Sequence, residues 1–234
     1  MTVRPPGVVL VGTDTGVGKT TIGCALLRLA RRLGLRPVPL KPAETGCDPD
    51  PADALRLRAA ADRSDLPLDL VCPHQFPVPV APAQAAAQAG AVLTPEDMTA
   101  AITRASSQGD FLLVETAGGL LSPYGPGLTG ADLAALSALP VLLIARNALG
   151  TINHTALSLA ELRRRGLPLA GLVLVEVSPD QTPDRPHNAG LIEQVTGERP
   201  LASLPFVPHA NPDELADEIA RQLSPAALFA RFGA

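Results

Sequence analysis

The sequence predicts an α/β protein with a mostly parallel sheet of six or seven strands and helices on both faces. Three observations carry that expectation. Short apolar runs and longer amphipathic stretches alternate along the chain, as repeated strand–helix–strand units do. The best-defined runs (residues 8–11, 111–114, 140–145 and 170–175) are almost wholly apolar, which suits strands covered on both faces. The first of these breaks into a glycine-rich turn ending in Gly-Lys-Thr, and a helical pattern follows. No internal repeat or linker divides the 234 residues, so one domain over 1–234 is expected.

Composition narrows the class. Apolar residues make up 46% of the chain and the net charge is −4, the balance of a soluble globular protein. A mildly acidic chain without a Lys/Arg run argues against a nucleic-acid groove. No stretch of 18 uninterrupted apolar residues is present, so no membrane span is expected. Cys24, Cys47 and Cys72 fit neither a metal spacing nor a disulfide framework, and MTVRPPG lacks the apolar core of a secretory signal. Reduced thiols and a cytoplasmic location are expected. Aromatics are only 3% of the chain, so the core must be aliphatic and ring stacking should not dominate any nucleotide contact.

The first strand, residues 8–11, runs into Gly12-Thr13-Asp14-Thr15-Gly16-Val17-Gly18-Lys19-Thr20-Thr21, and Ile22, Leu26, Leu29 and Leu33 then recur at helical spacing. That is the setting of a phosphate-binding P-loop, so the fold expected is P-loop NTPase-like. Glycines let main-chain N–H groups face inward, and the new helix adds its positive end. Lys19 supplies a mobile charge for the outer phosphates, and the Thr20 hydroxyl suits Mg²⁺. The spacing is unusual. The standard pattern has its first glycine at position 13, where Thr13 stands, and Gly12 comes one place early.

Residues 36–42 (RPVPLKP) read as a short or edge strand because of their prolines, with Lys41 at its end. Residues 43–46 read as a turn, and a helix begins near Ala52, where Asp53 suits the first turn. The proline-rich stretch 67–82 reads as an ordered, irregular surface loop. Helices follow over 83–88 and 95–106, the second opened by Thr94 as N-cap with Pro95 at N1. Glu115 ends the strand at 111–114 and precedes Thr116-Ala117-Gly118-Gly119. An acid there stands where open α/β sheets hold ligands, so Mg²⁺ ligation or substrate contact is expected of it. A strand over 140–145, a helix over 153–165, a strand over 170–175 and a polar loop over 178–186 come next. A helix near 188–196, a short strand over 201–206 and an amphipathic tail helix over 213–223 complete the alternation.

Five separated segments, GTDTGVGKT (12–20), LKPAETG (40–46), ADAL (52–55), VETAGG (114–119) and LGTINH (149–154), together resemble the dethiobiotin synthetase family. The resemblance spans residues 8 to about 177, and GTDT-x-VGKT accounts for the early glycine. It implies a P-loop enzyme with a parallel sheet that joins CO₂ to 7,8-diaminononanoate, using ATP and Mg²⁺, and closes the ureido ring of dethiobiotin in biotin biosynthesis. In that chemistry one amine captures CO₂ as a carbamate, the carbamate oxygen takes the γ-phosphoryl group, and the second amine displaces phosphate.

Carried onto this chain, the resemblance makes Lys19, Lys41, Asp14 and Thr15 the catalytic set. Lys19 and Lys41 bracket the carbamate and the phosphoryl group, offsetting charge that grows in the transition state. Thr20, Asp53 and Glu115 become oxygen ligands of Mg²⁺. Thr15 and the backbone of Gly16, Val17, Gly18, Lys19, Thr20 and Thr21 cradle phosphates, while Asp14 orients a substrate amine or a metal-held water. Thr45, Glu115 and Gly118 face the substrate, and Val175, Pro205 and Val207 fall at the nucleobase. The family's site lies at a homodimer interface, where the partner grips the substrate carboxylate. Gly150, Thr151 and Asn153 match that segment, Asn153 reading equally as an ordinary N-cap, and Asn188 lies near the family's other gripping helix. No protein nucleophile is required, and His74, His154, His187 and His209 form no ligand pattern.

The chain departs from the family at Val175, where many members read adenine with an Asn. A valine cannot hydrogen-bond a base edge, so triphosphates other than ATP are expected to serve as well. Gly16 replaces a common acid and Ala83 a frequent histidine. Two rivals remain. An amide-forming synthetase of the cobyrinate type is expected to need a glutaminase domain that this length does not accommodate. A ParA/MinD-type switch ATPase carries a further lysine early in the loop, where Thr13-Asp14-Thr15 stand here. The tail helix is also acidic on its polar face, the wrong sign for an anionic membrane.

Overall fold

In chain order the strands are β1 (Gly7–Gly12), β2 (Pro37–Leu40), β3 (Ala43–Thr45), β4 (His74–Phe76), β5 (Phe111–Gly119), β6 (Pro123–Gly125), β7 (Leu128–Thr129), β8 (Val141–Arg146), β9 (Leu169–Val175) and β10 (Ala202–Leu204). The helices are α1 (Lys19–Arg32), α2 (Ala52–Ala60), α3 (Leu68–Val71), α4 (Pro82–Gln88), α5 (Pro95–Ser106), α6 (Gly130–Ser137), α7 (Thr151–Arg164), α8 (Arg185–Thr196), α9 (Pro212–Gln222) and α10 (Pro225–Ala230). The structure, a computed structural model, describes residues 5–208 and 211–234. His209 and most of the MTVRPPG segment lie outside the described residues.

Six strands form one sheet in the order β10–β9–β8–β1–β5–β2, every neighbouring pair parallel. The expected parallel α/β architecture is present, at the lower of the two strand counts. Pro37 and Pro39 put β2 at the sheet edge for a simple reason: a proline has no N–H to give to a second neighbour.

Side chains alternate across the sheet into two apolar layers. Val9, Val11, Leu112, Val114 and Leu143 face Met98 and Ile102 of α5, Leu133 of α6, and Leu159 and Leu162 of α7. Val8, Leu10, Phe111, Leu113 and Ile144 face Ile22 and Leu26 of α1, Leu57 of α2, Leu215 of α9 and Phe229 of α10. Each fully buried side chain of this size stabilises by roughly 1.5–3 kcal/mol before chain entropy is offset. Phe111, Phe229 and Phe232 meet with ring centroids 5.0–6.1 Å apart, which pins the tail against β5.

The structure corrects several local readings. Residues 43–46 are not merely a turn, because Ala43–Thr45 pair in parallel with His74–Phe76. The stretch 67–82 accordingly contains α3 and β4; its prolines flank these short elements instead of interrupting them. The helix expected from 153 starts at Thr151 with Gly150 as N-cap, so Asn153 sits within the first turn and is not the cap. The helix near 188 starts at Arg185. The helix α6, given no element above, opens with a reciprocal Thr129–Asp132 capping box, as α5 does with Thr94 and Asp97.

Candidate active site

The candidate groups gather at the carboxyl ends of β1, β2, β5 and β9 and on the helices that follow, where a parallel sheet leaves room for a ligand. A cavity of about 610 Å³ opens there. Thr15, Gly16, Gly18, Lys19, Thr20 and Thr21 line one wall, and Lys41, Thr45, Asp53, Glu115 and Gly118 line the floor. Val175, Glu176, Pro205, Phe206 and Val207 line the rest, Val175 lying against Gly18 of the loop. Val17 does not line this cavity; its side chain is buried in the apolar layer beneath the loop.

The glycine loop begins where the Thr13 N–H bonds to the Ile144 carbonyl at 2.9 Å. Gly18, with φ of 100°, is the left-handed N-cap of α1, and no side chain or first-turn acid occupies that helix end. Its free N–H groups and dipole therefore remain for an anion. Lys19 folds back across the loop, donating to the Asp14 carbonyl at 2.9 Å and the Gly118 carbonyl at 2.6 Å. The early glycine now has a physical reason. A Cβ on Gly12 would lie 2.6 Å from Lys19 Nζ and 2.7 Å from the Asp14 oxygen.

Gly118 reaches Lys19 because β5 bulges. Leu10 pairs with Glu115 but Gly12 pairs with Gly119, so two steps of β1 oppose four of β5. Glu115 is consequently inside the strand, with no solvent exposure, and not at its end as the sequence suggested. Its Oε1 accepts from the Thr20 hydroxyl at 2.7 Å and from Lys41 Nζ at 2.5 Å. Its Oε2 is buried with no hydrogen-bond partner among the described residues.

Lys41 also donates to Asp53 Oδ2 at 2.9 Å. Burial alone would lower its pKa, but the charges of Glu115 and Asp53 outweigh that and hold it well above the ordinary lysine value. Asp53 is in turn held below the usual carboxylate range: burial opposes this, but the Lys41 charge and hydrogen bond overcome it. Lys19 behaves differently. Burial lowers it to about 8, the nearby Lys41 charge adding to the effect and Glu115 opposing it.

Glu44 is a site residue that the sequence reading missed. It accepts from the N–H groups of Asp53 and Ala54 at 2.8 and 2.9 Å, yet no local pattern marks it, because its partners lie on another element. Arg56, also missed, borders the same cavity.

The remaining candidates lie apart. Asp14 and Thr151 border a second cavity of about 230 Å³ with Thr13, Val17, Arg146, Ala148, Leu149 and His154. Gly150 caps α7 beside it, and Asn153 is exposed on that helix's first turn. Asn188 is buried, donating to Asn147 Oδ1 at 2.9 Å, and so ties α8 to the end of β8. Among the described residues no group of three or more His, Cys, Asp or Glu side chains is placed to hold a metal.

Residues 6–214 match a family model described as an AAA domain. The chain is 47% identical over 203 residues to the ATP-dependent dethiobiotin synthetase BioD of Anaeromyxobacter dehalogenans (strain 2CP-1), covering 86% of this chain and 91% of that protein. It is 35% identical over 213 residues to the protein of the same name from Xanthomonas oryzae pv. oryzae (strain PXO99A), covering 89% and 94%. Among solved structures, a ParA family ATPase from Chlorobium tepidum TLS superposes with a TM-score of 0.56 at 14% identity over 96% of both chains. A chain of the MinC:MinD cell division protein complex of Aquifex aeolicus gives 0.55 at 13% identity, covering 97% of this chain and 93% of that one. At such identities the structural likeness speaks for the P-loop fold alone.

Proposed function

Because the chain belongs to the ATP-dependent dethiobiotin synthetases, which are ATP-dependent ligases, we propose that it carboxylates 7,8-diaminononanoate with CO₂ and closes the ureido ring. The products are dethiobiotin, a nucleoside diphosphate and phosphate, a step of biotin biosynthesis. The observation that carries this reading is the meeting of Lys41, Glu115, Asp53 and Thr20 in the cavity that also holds the Lys19 loop.

The substrate supplies both nucleophiles, so the protein's work is to position and to neutralise charge. One amine adds to CO₂ and loses a proton, giving a carbamate. A carbamate oxygen bonds to the terminal phosphorus as the diphosphate leaves, and the second amine then attacks the carbonyl carbon and expels phosphate. Lys41 stays protonated between two carboxylates, which suits it to act as a fixed cation and unsuits it as a base. Lys19, held among the described residues by two carbonyl oxygens, can exchange them for phosphate oxygens. Thr15, Gly16, Gly18 and Thr21 line the phosphate wall, and Thr45 and Gly118 line the substrate side.

Thr20, Asp53 and Glu115 would hold Mg²⁺. The partnerless buried Glu115 Oε2 supports the fit, as does a donor set made only of hard oxygens. Two carboxylates and a hydroxyl leave positions for phosphate oxygens and water. When bound, the ion neutralises phosphate charge.

The nucleobase is assigned to Val175, Pro205 and Val207, which line the cavity beside the loop, and triphosphates besides ATP are expected to serve. The substrate carboxylate is assigned to the start of α7 (Gly150, Thr151 and Asn153) from a second copy of the chain, and Asp14, which borders the second cavity, is assigned to orient the amine. Leu149, just before that helix start, and Leu157, in the second turn of α7, are 90% and 63% exposed and support a homodimer. Neither nucleic acid nor membrane enters the reading, and among the described residues no helix is long and apolar enough to cross a membrane.

The test is direct. Purified protein is incubated with the diamine, bicarbonate, Mg²⁺ and each triphosphate in turn, and dethiobiotin is sought by mass. Phosphate release that needs the diamine supports the ligase; release without it and no product supports a switch ATPase.

A further inference from the structure

Helix α2 carries Asp53 into the site but has no cap of its own, because Pro51 at the N-cap offers no side-chain acceptor. Its first N–H groups are met from outside the helix. Glu44, on β3, accepts from the Asp53 N–H through Oε1 at 2.8 Å and from the Ala54 N–H through Oε2 at 2.9 Å. Those are donors that a helix leaves unbonded at its start, and a carboxylate there also meets the positive end of the dipole. Glu44 is 6% exposed, and its strand is fixed by pairing with β4.

The same Asp53 accepts from Lys41 through its side chain at 2.9 Å. Lys41 and Glu44 stand three residues apart on one segment. That segment therefore grips the first turn of α2 twice, once through its main chain and once through a carboxylate.

We propose that Glu44 is a positioning residue, clamping the first turn of α2 so that the Asp53 carboxylate stays on Lys41. This rests on the functional reading of Lys41 and Asp53 given above. Glu44 acts through Asp53, and its two acceptor oxygens are both needed. An amide at this place keeps one acceptor and turns an N–H₂ toward an N–H.

The test compares wild type, Glu44→Ala, Asp53→Asn and the double variant in product formation at saturating substrates. Amide hydrogen exchange at Asp53 and Ala54 is followed in the free protein. Glu44→Ala is expected to lower kcat roughly tenfold or more while the triphosphate KM moves less than about threefold. In the Asp53→Asn background the same change should cost less than about twofold, because residues acting as a unit do not add. Exchange at Asp53 and Ala54 should quicken roughly tenfold in Glu44→Ala, with the amides of α1 unchanged.

Additive losses in the double variant, an unchanged kcat in Glu44→Ala, or unchanged exchange would each overturn the proposal. Glu44→Gln should fall between wild type and Glu44→Ala, and it takes over the comparison if the alanine variant does not fold. A wild type that makes no product contradicts the functional reading instead. The exchange measurement needs no turnover and still decides the clamp.

Discussion

Lys41 Nζ lies 2.5 Å from Glu115 Oε1, and the two side chains are 5% and 0% exposed. A pair so enclosed adds little net stability, but removing one partner strands a buried charge at a cost of about 3–5 kcal/mol. Lys41→Ala is expected to abolish dethiobiotin formation and lower the melting temperature, with nucleotide affinity nearly unchanged because the glycine loop is intact. Adding Glu115→Gln should recover stability without recovering product. Mass detection of product, calorimetric nucleotide titration and thermal melts check the three parts, and retained turnover in Lys41→Ala would contradict the role given to that side chain.

The close approach at Gly12 makes a second expectation. A methyl group there would lie 2.6 Å from Lys19 Nζ, so the lysine must leave its seat or the loop must shift. Gly12→Ala should weaken triphosphate binding roughly tenfold or more while the sheet still forms, since overpacking of this kind costs about 1–3 kcal/mol. Equilibrium nucleotide titration beside a far-ultraviolet spectrum separates the two effects.

Base selectivity is the third. Val175 packs over the loop, its Cγ1 3.0 Å from where a Cβ on Gly18 would stand, and it offers no hydrogen bond to a base. The kcat/KM values for the four common triphosphates should lie within about tenfold of one another, because apolar contacts discriminate weakly. Val175→Asn should tilt the ratio toward ATP. A wild type that already prefers ATP a hundredfold would show that backbone groups near Pro205 and Val207 do the reading.

The fourth concerns alkaline pH. Burial pushes the Cys24 thiol from 9.0 to about 12 and the Tyr124 phenol from 10.0 to about 12. Above pH 9 the unfolded chain gives up protons that the folded protein keeps, so stability present below that pH is lost as pH rises toward 12. Lys19, lowered from 10.5 to about 8, works the other way between those values, so the effect is read as a difference: from pH 8 to pH 10.5 the urea midpoint of Cys24→Ala should drop less than that of wild type. Equal changes in the two proteins would contradict the burial argument for Cys24.

Much of the candidate site was legible because its parts are local. Gly-Lys-Thr between an apolar run and a helical pattern announces a phosphate loop within nine residues, and the cavity wall bears this sequence. Thr94 and Pro95 announced the start of α5 in the same way. Glu115 was marked by its place after a buried strand, whereas Lys41 and Asp53 entered through the family resemblance, because no spacing rule links residues 12 positions apart. Glu44 had neither kind of signal. Asn153 looked like a cap because its side chain suits one, but Gly150 takes the left-handed turn and starts the helix earlier.

The order of residues was enough to establish strand–helix alternation, the doubly buried strands and the phosphate loop, because period and turn chemistry act over a few neighbouring positions. Closure of the chain decided the rest: the bulge that carries Gly118 to Lys19, the enclosure of Glu115, and the outside cap on α2. Those contacts join groups far apart in sequence. Their partners are chosen only when packing excludes water and each buried donor or acceptor must find another.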